Sequence, residues 1–385
     1  MNAVRKRFEE IYNKTPLLVS SPARVNLIGE HTDYNEGFVL PAAVDKKMFV
    51  AIAPNDTDTV NAYANEYDEP FSFSLNDIEP RKTEGWTSYL LGVVYNIQQL
   101  GGEVKGVDVL IDGNVPVGAG MSSSAALCCA FGFALNEMFR LNLSRMQLAY
   151  IGQKTEHVFT GVKVGIMDQF ASLHGKAGHV IKLDCRSMEF EYIPFDFPDH
   201  KIVMVNSMVK HSLADSEYND RRQQCEEGVR IIKQHVKKEI KSLRDVTLED
   251  LESNKKELSD LVYKRCFYVI SENERLLKGC ILLEKGNLEG FGKIMYETHE
   301  GLSKLYEVSC EELDFLAEKA HSFNGVTGTR MMGGGFGGCT INLVKEHAVD
   351  EFTEFIKTAY QGNFGKAPEV YITQIEDGTK IMEEV

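Results

Sequence analysis

Hydrophobic positions open the chain at helical spacing: Val4, Phe8 and Ile11 mark one face of a short amphipathic helix over residues 2–13. The rhythm then changes. Short runs rich in Val, Phe and Tyr, broken by Gly, Pro, Asn and Asp, predict strands at 17–20, 24–28, 38–40, 48–53 and 59–63, the first two flanking Pro22. Residues 86–100 read as a helix stopped by Gly101-Gly102. A strand is expected at 107–111, then a glycine- and serine-rich stretch, then a helix over 125–139. Ser144, with Gln147 three residues on, is a capping box that starts a helix over 144–157. A loop at 161–165, a helical turn at 166–173 and strands at 180–183 and 201–206 follow.

After Ser212 the pattern becomes largely helical from 215 to 321, dense in Glu, Lys and Leu, with residues 242–256 separating helices. Strands return at 340–343 and 370–373 around a helix at 348–360, and are expected to form a second sheet. The fold class is α+β with two domains, 1–206 and 207–385. No internal repeat is evident.

Composition narrows the function. The 385 residues are 43% hydrophobic and 26% charged, which suits a globular chain with a substantial core. A net charge of −15 argues against nucleic acid or an anionic membrane as partner. No stretch is long and apolar enough to span a bilayer, and the charged N-terminus lacks an apolar signal core. The eight cysteines form no C-x-x-C pair and mostly sit in apolar runs, as expected of reduced core residues in the cytoplasm.

The chemistry gathers in a few places. The stretch Pro116, Val117, Gly118, Ala119, Gly120, Met121, Ser122, Ser123, Ser124 lies between a strand and a helix. Its glycines admit a ligand close to the backbone, and the first helical amides lack intrahelical partners. With the positive end of the helix dipole they make a phosphate cradle. A second cluster, Arg24 to Asn35, crowds Glu30, His31 and Asp33 together, a set that suits the hydroxyls of a polyol. Its spacing matches no familiar metal motif.

Asp168 sits among Ile166, Met167 and Phe170 at a loop-to-helix junction. It is either a buried reactive carboxylate or an acid serving the helix dipole. Glu156 falls near a helix end, where a carboxylate is unfavourable unless a cation is near. The segment Gly328 to Cys339 contains a formal G-x-G-x-x-G, but a strand follows it, which removes the dinucleotide reading and favours a close-packed glycine hairpin. No Walker A sequence and no H-R-D or D-F-G set is present.

Together the segments Arg24 to Asn35, Pro116 to Ala126 and Gly328 to Cys339 resemble the three motifs of the GHMP small-molecule kinases. The first segment, Gly165 to Gln169, and the stretch 206–225 with Tyr218, Arg221 and Arg222 are similar to the galactokinase branch. The resemblance implies two α+β domains, the first like a ribosomal S5 domain 2 unit, and transfer of the ATP γ-phosphoryl to the C1 hydroxyl of α-D-galactose. It implies that Glu30, His31, Asp33, Gly165 and Tyr218 hold the sugar. Gly118, Ala119, Gly120, Met121, Ser122, Ser123 and Ser124 would wrap the phosphates, with Trp86 and Tyr89 toward adenine. Ser124 and Glu156 would hold Mg²⁺, and Asp168 with Arg24 would flank the reacting hydroxyl. A monomer is the expected state. An N-acetylgalactosamine kinase and a non-catalytic galactose- and ATP-binding regulator stay open as alternatives, although the intact serines and Asp168 favour catalysis. Ala23, Met121 and Met332 depart from the family's usual Gly, Leu and Thr.

Overall fold

The computed structural model describes residues 2–80, 85–116, 119–209 and 214–382. Its strands are β1 (Leu17–Asn26), β2 (Phe38–Val39), β3 (Pro41–Pro54), β4 (Thr59–Ala64), β5 (Glu69–Ser74), β6 (Val107–Gly113), β7 (His179–Asp184), β8 (Phe190–Pro194), β9 (His200–Asn206), β10 (Val326–Met331), β11 (Cys339–Lys345), β12 (Glu369–Thr373) and β13 (Lys380–Ile381). The helices are α1 (Asn2–Tyr12), α2 (Thr87–Gln99), α3 (Ser123–Phe139), α4 (Arg145–Thr155), α5 (Met167–His174), α6 (Ala214–Ile232), α7 (Leu248–Ser253), α8 (Asp260–Glu284), α9 (Leu288–Glu300), α10 (Glu311–Ser322) and α11 (Val349–Phe364). Single π-helical turns, Glu156–Thr160 and Gly301–Tyr306, extend α4 and α9.

Among the described residues the strands form three sheets, ordered β13-β1-β3-β6-β4-β5, β10-β11-β9-β12 and β2-β7-β8. The pairing is antiparallel except between β4 and β6. The division near residue 207 does not follow these sheets. His200–Asn206, expected in the first domain, lies between β11 and β12 of the second sheet. Lys380–Ile381 returns to the first sheet beside β1.

β1 joins the two predicted strands around Pro22 into one. The break in register between Pro22 and Arg24 is a bulge, which accommodates proline and re-aims the arginine that follows. α3 carries apolar residues on nearly every face and is accordingly a central helix, packed on β1, β3, α2, α4 and α5. Leu127, Phe131 and Leu135 lie in the same core as Val50, Ile52 and Val109. Each such side chain stabilises the fold by about 1.5–3 kcal/mol. Because α3 is fixed along its length, its N-terminal serines are fixed too.

The capping signals act as read. Ser144 accepts from the Gln147 amide while the Gln147 side chain accepts from the Ser144 amide. At the end of α2, Gly102 N–H reaches Ile97 O and Gly101 N–H reaches Gln98 O, a Schellman motif with Gly101 at φ +80°. In the C-terminal half the long helix α8 presents Tyr268, Glu272 and Asn273 to residues 29–38. Tyr268 Oη donates to Glu30 O (3.1 Å), and the amides of Gly29 and Phe38 donate to Glu272 Oε1 (2.8 Å) and Asn273 Oδ1 (2.9 Å).

Candidate active site

A cavity of about 240 Å³ opens where β1, the cradle, α5, α6 and the β10–β11 hairpin meet. Its wall brings together Arg24, Glu30, His31, Asp33, Gly120, Ser122, Gly165, Asp168 and Tyr218. These come from segments up to about two hundred residues apart, all singled out from sequence.

The centre is a bidentate ion pair. Arg24 Nε lies 2.7 Å from Asp168 Oδ1 and Arg24 Nη2 lies 2.8 Å from Oδ2. Arg24 Nη1 donates to Gly120 O at 2.5 Å. Burial opposes the Arg24 charge, but Asp168 and Glu30 more than offset it and raise its pKa. Ser122, the N-cap of α3, stands at φ +58° and makes no side-chain cap; its hydroxyl donates instead to Asp168 Oδ2. The cradle serine is thus joined to the acid of α5, and Asp168 is half-buried, with its carboxylate held by Arg24 and Ser122.

On the opposite wall Glu30 Oε1 accepts from Arg330 Nη2 and from the Gly333 amide, each at 2.9 Å. Burial works against its ionisation, yet Arg330 and Arg24 hold its pKa below the ordinary value. Among the described residues no cation is hydrogen-bonded to Asp33. Burial and the Asp168 charge push it up to about 7. Gly165 lets Asp33 approach: a Cβ there would stand 1.6 Å from Asp33 Oδ2. His31 bonds Tyr34 Oη through Nδ1 (2.8 Å) and Gly334 O through Nε2 (3.2 Å), and burial lowers it to about 4. Its ring and the Tyr218 ring are 5.3 Å apart.

A second cavity, also about 240 Å³, is lined by Trp86, Tyr89, Ser123, Ser124 and Leu127 with residues of β4 and β6. Trp86 Nε1 is buried and has no partner among the described residues. An acceptor on a planar ligand would satisfy it. Ala119 and Met121 line neither cavity; their side chains face the core, so only their backbone can serve the cradle. Gly118 lies outside the described residues. Ala23, Met121 and Met332 pack in one apolar cluster.

Glu156 lies behind Ser124, whose hydroxyl is 3.4 Å from Glu156 Oε1; Gln169 Nε2 donates to the same oxygen at 2.9 Å. Burial and the Asp168 charge push Glu156 up to about 8, against the pull of these hydrogen bonds. One carboxylate and one hydroxyl are a partial donor set. Among the described residues no group of three or more His, Cys, Asp or Glu gathers to hold a metal. The set fits Mg²⁺ that arrives with a nucleotide, since that ion commonly takes one or two carboxylates plus phosphate oxygens.

Sequence reasoning did not single out Arg330, Gln169 or Glu272. Arg330 was visible as the one cation in a hairpin otherwise of Gly, Met, Thr, Phe and Cys. Glu272 carried no local signal, being one acid among many in a charged helix.

Residues 88–176 match the GHMP kinases N terminal domain, 281–362 the GHMP kinases C terminal domain and 6–54 the galactokinase galactose-binding signature. A galactokinase of Roseiflexus sp. (strain RS-1) is 39% identical over 97% of this chain and 95% of its own length. One of Thermosipho africanus is 40% identical over 94% of this chain and 99% of its own. The crystal structure of Lactococcus lactis galactokinase complexed with galactose superposes with a TM-score of 0.95 at 34% identity, covering 99% of both chains. A mevalonate kinase at 19% identity and a TM-score of 0.65 shares the fold. With its sugar-motif cluster, its serine cradle and these full-length likenesses, the chain belongs to the galactokinase family of GHMP kinases.

Proposed function

We propose that this chain transfers the γ-phosphoryl group of ATP to the C1 hydroxyl of α-D-galactose. The observation that carries the reading is the place of Asp168: it stands on the wall of one cavity, fixed by Arg24 and Ser122, while the next two cradle residues, Ser123 and Ser124, line the other. Galactose occupies the first cavity, with Glu30, Asp33, Gly165, His31 and Tyr218 around its hydroxyls. The nucleotide occupies the second, its base against Trp86 and Tyr89 and its phosphates at the start of α3.

Phosphoryl transfer passes through a loose transition state, so placement and charge do most of the work. As the C1 oxygen bonds to the γ-phosphorus and the bond to the β–γ bridging oxygen breaks, Asp168 accepts the hydroxyl proton. A carboxylate is too weak a base to ionise the hydroxyl beforehand, so the proton moves late. Arg24 holds both Asp168 oxygens and sets positive charge beside the migrating group. Ser124 and Glu156 would hold Mg²⁺, which supplies charge neutralisation at the phosphate oxygens. The eight cysteines are unpaired, which is in keeping with action in the cytoplasm. Among the described residues no helix is long and apolar enough to cross a membrane.

Asp168→Asn tests the chemistry: kcat should fall about 10²–10⁴-fold while both ligands still bind. Near-normal kcat would remove Asp168 from the reaction. A coupled ADP-release assay over galactose, N-acetylgalactosamine, glucose and mevalonate tests the substrate, with galactose expected to lead.

A further inference from the structure

His31 is held in an unusual way. Its backbone stands at φ +62°, a left-handed conformation that a histidine adopts at a cost and keeps only when its surroundings fix it. Its ring lies among Tyr34, Tyr218 and Tyr306, with centroids 4.9–5.9 Å away. A line of hydrogen bonds leads away from it. Tyr34 Oη is 2.8 Å from Tyr306 Oη, and Cys225 Sγ is 3.2 Å from Tyr306 Oη. Tyr306 and Cys225 are fully buried.

The direction of this line follows from its first member. Gly334 O can only accept, so the His31 Nε2 that faces it at 3.2 Å must carry a hydrogen; two lone pairs at that distance would repel. Burial keeps the ring neutral, so Nδ1 is bare and accepts from the Tyr34 hydroxyl. Tyr34 has then used its only hydrogen and must accept from Tyr306. Tyr306 in turn must accept, and the Cys225 thiol is the donor beside it. Each group has one hydrogen, and each is spent toward the cavity.

We infer that Cys225, Tyr306 and Tyr34 form a one-way hydrogen-bond chain that fixes His31 as its Nε2–H tautomer and thereby ties the sugar motif to the glycine hairpin. These three are positioning residues, since they touch His31 or one another. Nε2 spends its hydrogen on Gly334 O and offers no lone pair, so no ligand hydroxyl can donate to it. The kinetic side of this inference rests on the reading of the first cavity as the sugar site; the tautomer does not.

The test joins two measurements. Nitrogen-15 NMR of histidine-labelled protein at neutral pH should show His31 Nε2 protonated and Nδ1 not, with and without galactose. In Tyr34→Phe the Nδ1 signal should move toward that of an unbonded nitrogen. Galactose affinity should fall about two- to tenfold in Tyr34→Phe and Tyr306→Phe, the loss of one ordinary hydrogen bond, with ATP affinity unchanged. Cys225→Ser keeps a donor and should match the parent, whereas Cys225→Ala should not. A protonated Nδ1 in the parent protein overturns the inference. So does unchanged galactose affinity in both tyrosine variants, or an equal loss for ATP, which would mark general loosening. A correct tautomer in a protein that does not phosphorylate galactose would sink the proposed function and leave the chain standing.

Discussion

The two cavities have nearly the same volume, about 240 Å³ each, and opposite chemistry. The first is walled by ionic and polar groups that already have partners: Arg24 with Asp168, Glu30 with Arg330, and the neutral His31 with Gly334 and Tyr34. The second is walled by aromatic faces, helix-start serines, the acids Glu66 and Asp112, and an indole N–H with no partner among the described residues. The difference teaches where recognition is stored. A neutral polyol needs donors and acceptors held rigidly, because each misplaced one leaves a buried hydroxyl unpaired. A phosphate-bearing planar ligand brings its own charge and is met by backbone amides and stacking surfaces.

On this contrast, changes to the first wall act on its ion pairs and on the sugar, and changes to the second act on the nucleotide. The largest effect should come from Arg330, whose side chain is fully buried and bonds Glu30 Oε1 and the carbonyls of Leu27, Asn26 and Met331. Arg330→Met strands the Glu30 charge and should cost about 3–5 kcal/mol of stability, read by chemical denaturation. Adding Glu30→Gln should recover part of the loss, because a broken buried pair costs more than an absent one. No recovery would mean that Arg330 acts through its backbone partners instead.

Next comes Gly165→Ala, which drives a methyl into Asp33 Oδ2. Sugar affinity should drop some five- to hundredfold, an overpacking cost of about 1–3 kcal/mol, while ATP affinity holds. Equal losses for both ligands in calorimetric titration would count against two separately built walls.

A smaller effect concerns Asp33, the one acid on the sugar wall raised to about 7. An acid whose folded pKa lies above its unfolded value binds more protons when folded, so stability declines as pH rises from about 4 toward 7. Asp33→Asn in the ligand-free protein should flatten that part of the profile. An unaltered slope would show that Asp33 ionises freely in the fold. The smallest change is Trp86→Phe, which keeps the ring face and removes the N–H. ATP affinity should weaken by about two- to tenfold with galactose unaffected. No change for ATP would place the base elsewhere.

How far sequence alone reached depends on where each signal is written. Local signals were legible: the Ser144 capping box, the Gly101-Gly102 stop, the run of small residues before α3. The cluster Glu30, His31 and Asp33 was legible because one turn holds all three. β5 (Glu69–Ser74) and β8 (Phe190–Pro194) escaped because they are short and largely exposed; Phe71 and Phe73 alternate with serines over too few residues to mark a strand. β3 was cut short at its start, where the run Ala43 to Lys47 mixes apolar and charged residues. Pro22 hid the continuity of β1, since a bulge that absorbs a proline leaves no mark in the pattern. Glu272 and Arg330 are tertiary by nature. Their importance lies in which backbone groups they reach, and only folding brings Gly29 and Leu27 to them.

The return of β13 to β1 has a consequence in time. Thr379 meets Ser21 and Ser172, Arg145 holds the Thr379 carbonyl, and Val19 and Ser20 pair with Ile381 and Lys380. On a ribosome this segment emerges after all the other described elements, so until then the strand that carries Arg24 has an open edge. A nascent chain can assemble its helices and most of its sheets early, yet the framework around the ion pair closes only when synthesis reaches residue 381. Stalled or clipped chains should therefore be the ones that aggregate through that edge.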